Sequence, residues 1–241
     1  MKISIVVPAF NEEKLLSETL IAIQKAASGF VENGCEWELI VCDNNSTDRT
    51  AEVAVAAGAR LAFEPINQIG RARNSGAGIA TGEWLIFIDA DSHPSRGLLQ
   101  DVLREIKSGR TLAGGATLSM VTDSWFAQGL IRFWNMVSQI KKQFAGSFIF
   151  IDAAAFRELG GFDTSLYASE EIDLSKRANR LARRWGKRVR ILNQHPLVTS
   201  ARKLHLYTPR EHLRFLGRTL LERGGTLRRR ESCGIWYDGR R

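Results

Sequence analysis

Carboxylates at three places in the chain have the types and spacing that chemistry needs. Asp89-Ala90-Asp91 puts two of them two residues apart, directly after the apolar run Trp84-Leu85-Ile86-Phe87-Ile88. Carboxylates at this spacing suit Mg²⁺ or Mn²⁺ that also holds a substrate diphosphate. Taken alone, Asp89 could equally cap the turn that runs to Pro94. Asp43 closes a second apolar run, Leu39-Ile40-Val41-Cys42. Glu170-Glu171-Ile172-Asp173 opens a helical pattern that includes Leu174 and Leu181. Carboxylates in a first helical turn face the positive end of the helix dipole, which favours their ionised form. Glu170 and Glu171 lie about 100° apart around a helix, so they cannot point the same way.

Other reactive types offer less. His93, His195, His205 and His212 show no metal-ligand spacing, and no phosphate-binding P-loop is present. Gly76-Ala77-Gly78-Ile79-Ala80-Thr81-Gly82 resembles a dinucleotide fingerprint but falls inside an expected helix instead of at a strand-to-helix turn. Three cysteines, Cys35, Cys42 and Cys233, fit a reduced cytoplasmic protein without structural disulfides. The net charge of +8 is unevenly spread. Lys176–Arg190 holds eight basic residues and no acid, and Leu206–Arg241 holds nine arginines against four acids. That asymmetry points to an anionic partner.

The elements that must position these groups alternate. Ile3–Pro8 reads as a buried strand. Asn11 is the expected N-cap of a helix carrying Leu15, Leu16, Leu20 and Ile23. Glu38–Asp43 is the second strand. Ser46 or Thr47 is expected to cap a helix through about Ala57 that stops at Gly58. Arg60–Phe63 is a third strand, about Arg71–Ala80 a helix, and Trp84–Asp89 a fourth strand. Such alternation implies an α/β layer with a mostly parallel sheet. Beyond Pro94, Leu98–Ile106 reads as a helix, and Ala113–Met120 and Ser147–Ile151 as strands. Between those strands, Trp125, Phe126, Leu130, Phe133, Trp134 and Val137 recur at helical spacing. They would pack that helix on a second lobe or form an apolar wall for a lipid-linked acceptor. At ~150 residues per domain, 241 residues without a linker suggest one body with two lobes. No apolar run is long enough to span a bilayer, and the start lacks a signal-peptide pattern.

Taken in order, these segments form a recognisable series: Val6-Val7-Pro8-Ala9-Phe10-Asn11-Glu12-Glu13, Val41-Cys42-Asp43-Asn44-Asn45-Ser46-Thr47-Asp48, Gly70-Arg71-Ala72-Arg73-Asn74-Ser75-Gly76, Leu85–Ser92, Gly160-Gly161-Phe162-Asp163 and Glu170–Leu174. Over roughly residues 1–205 the chain resembles a family 2 glycosyltransferase of the GT-A fold. The resemblance implies a mostly parallel, Rossmann-like sheet with helices on both faces and an acceptor-side lobe. It also implies a metal-dependent, inverting sugar transfer from a nucleotide diphosphate donor, UDP- or GDP-linked.

By the same resemblance, Pro8, Ala9, Phe10 and Glu12 would line the base and ribose pocket. Asp43 would accept from the base, and Arg71 would lie near base and phosphates. Asp89, Ala90 and Asp91 would stand at the donor, Asp89 holding the ribose or a metal-bound water and Asp91 ligating the Mn²⁺ or Mg²⁺, with His205 as a further metal candidate. Arg202 and Lys203 would close on the diphosphate. Glu171 would be the catalytic base, with Glu170 beside it. The family's usual pair there is Glu-Asp, so Glu170-Glu171 departs from it by one methylene. A first-turn position suits a base, which must be deprotonated to act. Asp163 and Asp173 are read as structural.

One enzyme domain, 1–241, is therefore expected. Its donor half would be 1–110, its acceptor half 111–205, and its basic helix and tail 206–241. Thr208–Leu221 reads as a capped amphipathic helix. The expected partners are a nucleotide sugar, an acceptor of open identity (lipid-linked, saccharide or small metabolite) and an anionic membrane surface touched peripherally from the cytoplasm; nucleic acid is not among them. Other readings are a sugar nucleotidyltransferase, which would need a glycine-rich loop after the first strand, and a non-catalytic binder of anionic surfaces.

Overall fold

The computed structural model describes residues 1–120, 125–199 and 225–233. Among them, eight strands form one sheet in the order β3-β2-β1-β4-β7-β6-β8-β5. The strands β1 (Lys2–Ala9), β2 (Glu36–Asp43), β3 (Arg60–Phe63) and β4 (Trp84–Ile88) pair in parallel. The near-continuous apolar sequences of β1 and β4 are those of strands covered on both faces, whereas β3, at the sheet edge, is mostly exposed. Three helices connect them: α1 (Leu16–Glu32), α2 (Thr50–Ala56) and α3 (Ile69–Gly78). The chain winds outward from β1 to β3, then returns past β1 to lay down β4. The carboxyl ends of β1 and β4 thus flank a topological switch point, where open α/β sheets bind ligands.

The second half turns the sheet mixed. Following the two-residue β5 (Ser92–His93) come α4 (Arg96–Lys107), β6 (Thr111–Met120), α5 (Trp125–Lys141), β7 (Phe148–Asp152), α6 (Ala153–Glu158), α7 (Glu170–Arg184) and β8 (Arg188–Thr199). β7 runs antiparallel to β4 and β6, and β8 runs parallel to β6. Because β7 is antiparallel to β4, its start lies at the carboxyl end of β4, bringing Ser147 to Asp89. Two apolar cores sandwich the sheet. One is built on α1 and α4, the other on α3, α6 and α7. The two halves therefore share one continuous sheet. No helix among the described residues is long and apolar enough to cross a membrane. Cys35, Cys42 and Cys233 are free and buried.

Several expected boundaries shift. Asn11 is not a helix cap: it takes a left-handed backbone (φ 51°), and α1 begins five residues later. Its side chain instead reaches across to the next loop, where Oδ1 accepts from Thr47 N–H at 2.8 Å. Neither Ser46 nor Thr47 caps α2, which starts at Thr50; Ser46 Oγ accepts from Asn11 N–H at 3.0 Å. Both polar residues satisfy backbone donors between loops in preference to a helix end. β4 ends at Ile88, one residue short of Asp89. α5 forms at the expected place but packs only part of its apolar set. Leu130 and Phe133 are exposed, Trp134 and Val137 half-buried, and the side chain of Phe126 lies outside the described set. The expected helix Thr208–Leu221 lies outside the described residues.

Candidate active site

The site is assembled around Arg73, on the inward stripe Gly70-Arg73-Gly76 of α3. Gly76 lets the helix lie close, since a Cβ there would stand 2.5 Å from Val6 of β1, whereas one at Gly70 would make an ordinary contact with Glu170 at 3.5 Å. Arg73 is 1% exposed. Its Nη1 donates to Glu170 Oε1 at 2.6 Å, and its Nη2 donates to Asp89 Oδ1 and the Gly146 carbonyl, each at 2.9 Å. The guanidinium carbon lies 5.2 Å from the centre of the Phe162 ring. Glu171 completes the cluster: its carboxyl carbon would lie 3.6 Å from a Cβ placed on Gly146.

Three carboxylates thus surround one cation. Burial opposes the charge on Arg73, but Asp89, Glu170 and Glu171 outweigh it and raise its pKa. Burial raises Glu170 despite the opposing pull of Arg73. Burial, then the charge of Glu170, pushes Glu171 up to about 8, against the pull of Arg73. Here the first-turn expectation is corrected. Both glutamates do open α7, but the helix dipole does not keep Glu171 ionised. Desolvation and a like charge next door exceed the dipole's 0.3–1 kcal/mol or so.

The loop carrying Asp91 is pinned on both sides. Thr19 Oγ1 donates to the Ala90 carbonyl at 2.7 Å, and Ser92 Oγ donates to Thr199 Oγ1 at 3.0 Å. Asp89 N–H donates to the Ser147 carbonyl at 3.2 Å. Asp91 itself is half-buried between these anchors.

On the other side of the switch point, the loops after β1 and β2 are stitched together. Glu12 N–H donates to Thr50 Oγ1 and Glu13 N–H to Asp48 Oδ2. Pro8 and Ala9 end β1 and are buried; Phe10 follows, half-buried. Asp43 is buried, and one of its oxygens, Oδ1, accepts from Ser46 N–H at 3.0 Å. Arg71 stands apart from the carboxylate cluster, its Nε donating to Gln68 Oε1 at 2.9 Å. Arg202, Lys203 and His205 lie outside the described residues. Asp163 fixes its turn through Ser165 N–H, as expected. Asp173 binds Arg177, which also donates to the Leu159 and Gly161 carbonyls, so its role is structural as read.

Sequence reasoning passed over Arg73, although the glycines three residues before and after it mark the inward face of α3. It also missed two buried amide hubs. Asn44 donates to the Glu64 and Ile66 carbonyls and accepts from Gln68 N–H. Gln68 Nε2 donates to the Thr164 and Leu166 carbonyls. Together they tie the loops after β2 and β3 to the segment that leads into α7. Two 3₁₀ turns, Gly225–Arg228 and Arg230–Cys233, pack back beside the site, where Tyr167 N–H donates to the Leu227 carbonyl at 2.7 Å. Cys233 lies near enough to Glu170 for that charge to add to burial in pushing the thiol to about 11.

Among the described residues, no group of three or more His, Cys, Asp and Glu forms a metal cage. Asp89 and Asp91 offer only hard oxygen donors, and Asp89 already holds Arg73. This fits a Mg²⁺ or Mn²⁺ whose remaining ligands come from water and a diphosphate; it does not fit a structural zinc site.

The fold and a carboxylate cluster at the switch point agree with a family assignment. Residues 4–158 match the glycosyl transferase family 2 model, and the chain belongs to that family. An uncharacterized glycosyltransferase of Mycobacterium tuberculosis is 34% identical over 113 residues, 47% of each chain. The chain thus matches about half the length of this relative. Two solved structures share the GT-A fold. Staphylococcus aureus TarS 1-349 in complex with UDP-GlcNAc has a TM-score of 0.66 at 21% identity, covering 83% of this chain and 58% of that one. The mannosyltransferase PcManGT from Pyrobaculum calidifontis, in complex with GDP-Man and Mn²⁺, has a TM-score of 0.67 at 19% identity, covering 88% and 59%.

Proposed function

We propose that this chain is a metal-dependent, inverting, non-processive glycosyltransferase that moves a sugar from a UDP- or GDP-sugar to a hydroxyl or phosphate acceptor. The observation that carries this reading is the convergence of Asp89, Glu170 and Glu171 on Arg73 at the switch point. Family membership supports it, as do the nucleotide sugars held by the two structural neighbours. Residues 1–110 form the donor half and 111–205 the acceptor half of one catalytic unit, followed by the basic stretch 206–241.

Pro8, Ala9, Phe10, Glu12 and Asp43 take the nucleoside, with Arg71 at its edge. Asp91, with Asp89 beside it, holds Mn²⁺ or Mg²⁺. When bound, that ion stabilises negative charge on the leaving diphosphate as a Lewis acid. Glu171 takes the proton from an acceptor hydroxyl as the oxygen attacks the anomeric carbon opposite the diphosphate. One displacement then inverts that centre. Of the two glutamates, Glu170 is engaged by Arg73 at 2.6 Å and serves to fix the cluster. That leaves Glu171 as the base, and its raised pKa suits a group that must both take up and release a proton near neutral pH. Arg202, Lys203 and His205 remain candidates for closing on the diphosphate and the metal. Placement in the cytoplasm, peripheral to the inner face of the membrane, belongs to the same proposal.

The test is a thermal-shift screen of the full chain with UDP- and GDP-sugars, with and without Mn²⁺. A ligand that binds only the native state raises the melting temperature, by ~2.7 kcal/mol of stabilisation at a hundredfold excess over Kd. A Mn²⁺-dependent rise with one donor class is expected. No shift with any nucleotide sugar contradicts the proposal.

A further inference from the structure

α5 leaves a large part of its apolar set on the outside. Its inward side mixes polar and apolar residues: Ala127 is buried and Ile131 and Trp134 are half-buried, while Asn135 Oδ1 accepts from Leu118 N–H and Asn135 Nδ2 donates to the Leu118 carbonyl, both at 2.9 Å, so one side chain continues the ladder of β6. Ser138 is buried, and Asn193 Nδ2 donates to Gln139 Oε1. Four large apolar residues point the other way. Leu130 is 45% exposed, Phe133 60%, Met136 50% and Ile140 71%. At about 100° per residue, Met136, Ile140, Phe133, Val137 and Leu130 fill a continuous arc of about 120°. Propensity does not account for this arrangement, since helix formation asks nothing of the outward face. An exposed apolar stripe of this kind, on the order of a few hundred Å², marks a surface that meets something.

Charge identifies the partner. Arg132 lies about 40° beyond Met136 at one border of the arc, and Lys141 about 20° beyond Leu130 at the other; both are exposed. Lys142 follows. No Asp or Glu occurs between Asp123 and Asp152. An apolar face bordered by cations and free of acids is the pattern of a helix lying in the interface of an anionic bilayer. There the apolar side chains enter the acyl boundary and the basic stems snorkel to the headgroups. A homotypic protein contact would have no need of a one-signed border.

We propose that α5 is a membrane-docking helix that seats this protein on an anionic lipid surface through Leu130, Phe133, Met136 and Ile140, flanked by Arg132 and Lys141. The proposal does not depend on the sugar chemistry, but it bears on it. Four residues separate the end of α5 from Gly146, whose carbonyl holds Arg73. Docking would therefore bring the carboxylate cluster close to the lipid surface, where a lipid-linked acceptor would present its headgroup.

The test is flotation of the full chain with phosphatidylglycerol–phosphatidylcholine vesicles, against a Phe133→Glu/Ile140→Glu variant and the milder Ile140→Glu alone. Both sites are exposed, so fold and melting temperature should be unchanged. Wild type should float with the anionic vesicles and less so at high salt. The double variant should lose at least ~10-fold of that binding. Absence of wild-type binding overturns the proposal. So does equal flotation of the double variant, which would move the contact to another surface such as the basic stretch after residue 206. A wild-type dimer that the variant dissociates, with no vesicle binding by either, would make the face a contact between copies and also overturn it.

Discussion

Replacing Glu171 by Gln should separate its two roles, because one proton governs both. An ordinary glutamate titrates near 4.5, and burial beside Glu170 pushes Glu171 to about 8. The folded state thus keeps a proton that the unfolded chain has already released. Stability from this group is complete below pH 4.5 and is lost as pH rises towards 8. The ceiling on that loss is ~5 kcal/mol, at ~1.36 kcal/mol per decade of proton affinity. Glu170 titrates in the same cluster, so the loss is shared by the pair. As a base, Glu171 would be about 10% ionised at pH 7 and about 1% at pH 6 in the free protein. The wild-type kcat/KM should therefore climb close to tenfold per pH unit up to about pH 8 and then level. Glu171→Gln should lose ~10²–10⁴-fold at pH 9 and lack the limb entirely. Its urea midpoint should also vary less with pH than that of wild type between 4.5 and 8. A wild-type profile flat from pH 6 to 8, or an unchanged limb in the variant, refutes the reasoning.

Other variants should behave distinctly. Asp91→Ala should lower Mn²⁺-supported turnover by at least ~100-fold, about 3 kcal/mol in the barrier; full activity of that variant in EDTA would contradict its role. Asp43→Asn keeps an oxygen for Ser46 N–H, so the fold should survive while donor affinity falls ~10-fold and kcat changes little. A larger loss in kcat than in affinity would reassign Asp43. Arg73→Met should cost on the order of 3 kcal/mol in urea unfolding, because Glu170 is left buried without its cation; an unchanged midpoint would show that the cluster does not depend on Arg73.

Much of residues 1–110 was legible because β1 and β4 are buried on both faces and α1 and α4 are amphipathic. Val6-Val7, Ile40-Val41 and Ile86-Phe87 declare strands whatever surrounds them, and Gly58, at φ 73°, ends the α2 segment where expected. Boundaries at Asn11 and Ser46 were missed because capping and cross-loop bonding use the same side chains, and only the fold brings the partner loop near. Arg73 was hidden for a related reason. A lone arginine two residues after another reads as solvated surface until a helix 97 residues further on supplies Glu170. The protonation of Glu171 depends on desolvation, which no local spacing encodes. The outward face of α5 was visible as a helical apolar pattern, but periodicity alone does not say which side of a helix is covered.

The central claim is that Glu171, in a cluster fixed by Arg73, serves sugar transfer from a nucleotide diphosphate donor. The most direct measurement is release of nucleoside diphosphate from UDP- and GDP-sugars with Mn²⁺, comparing wild type with Glu171→Gln and Glu170→Gln at saturating donor and acceptor. The account predicts turnover by wild type and its collapse in Glu171→Gln, while that variant still binds donor and metal normally. Near-normal turnover by Glu171→Gln alongside collapse of Glu170→Gln would contradict the assignment of the base, and no release from any nucleotide sugar by wild type would contradict the account as a whole.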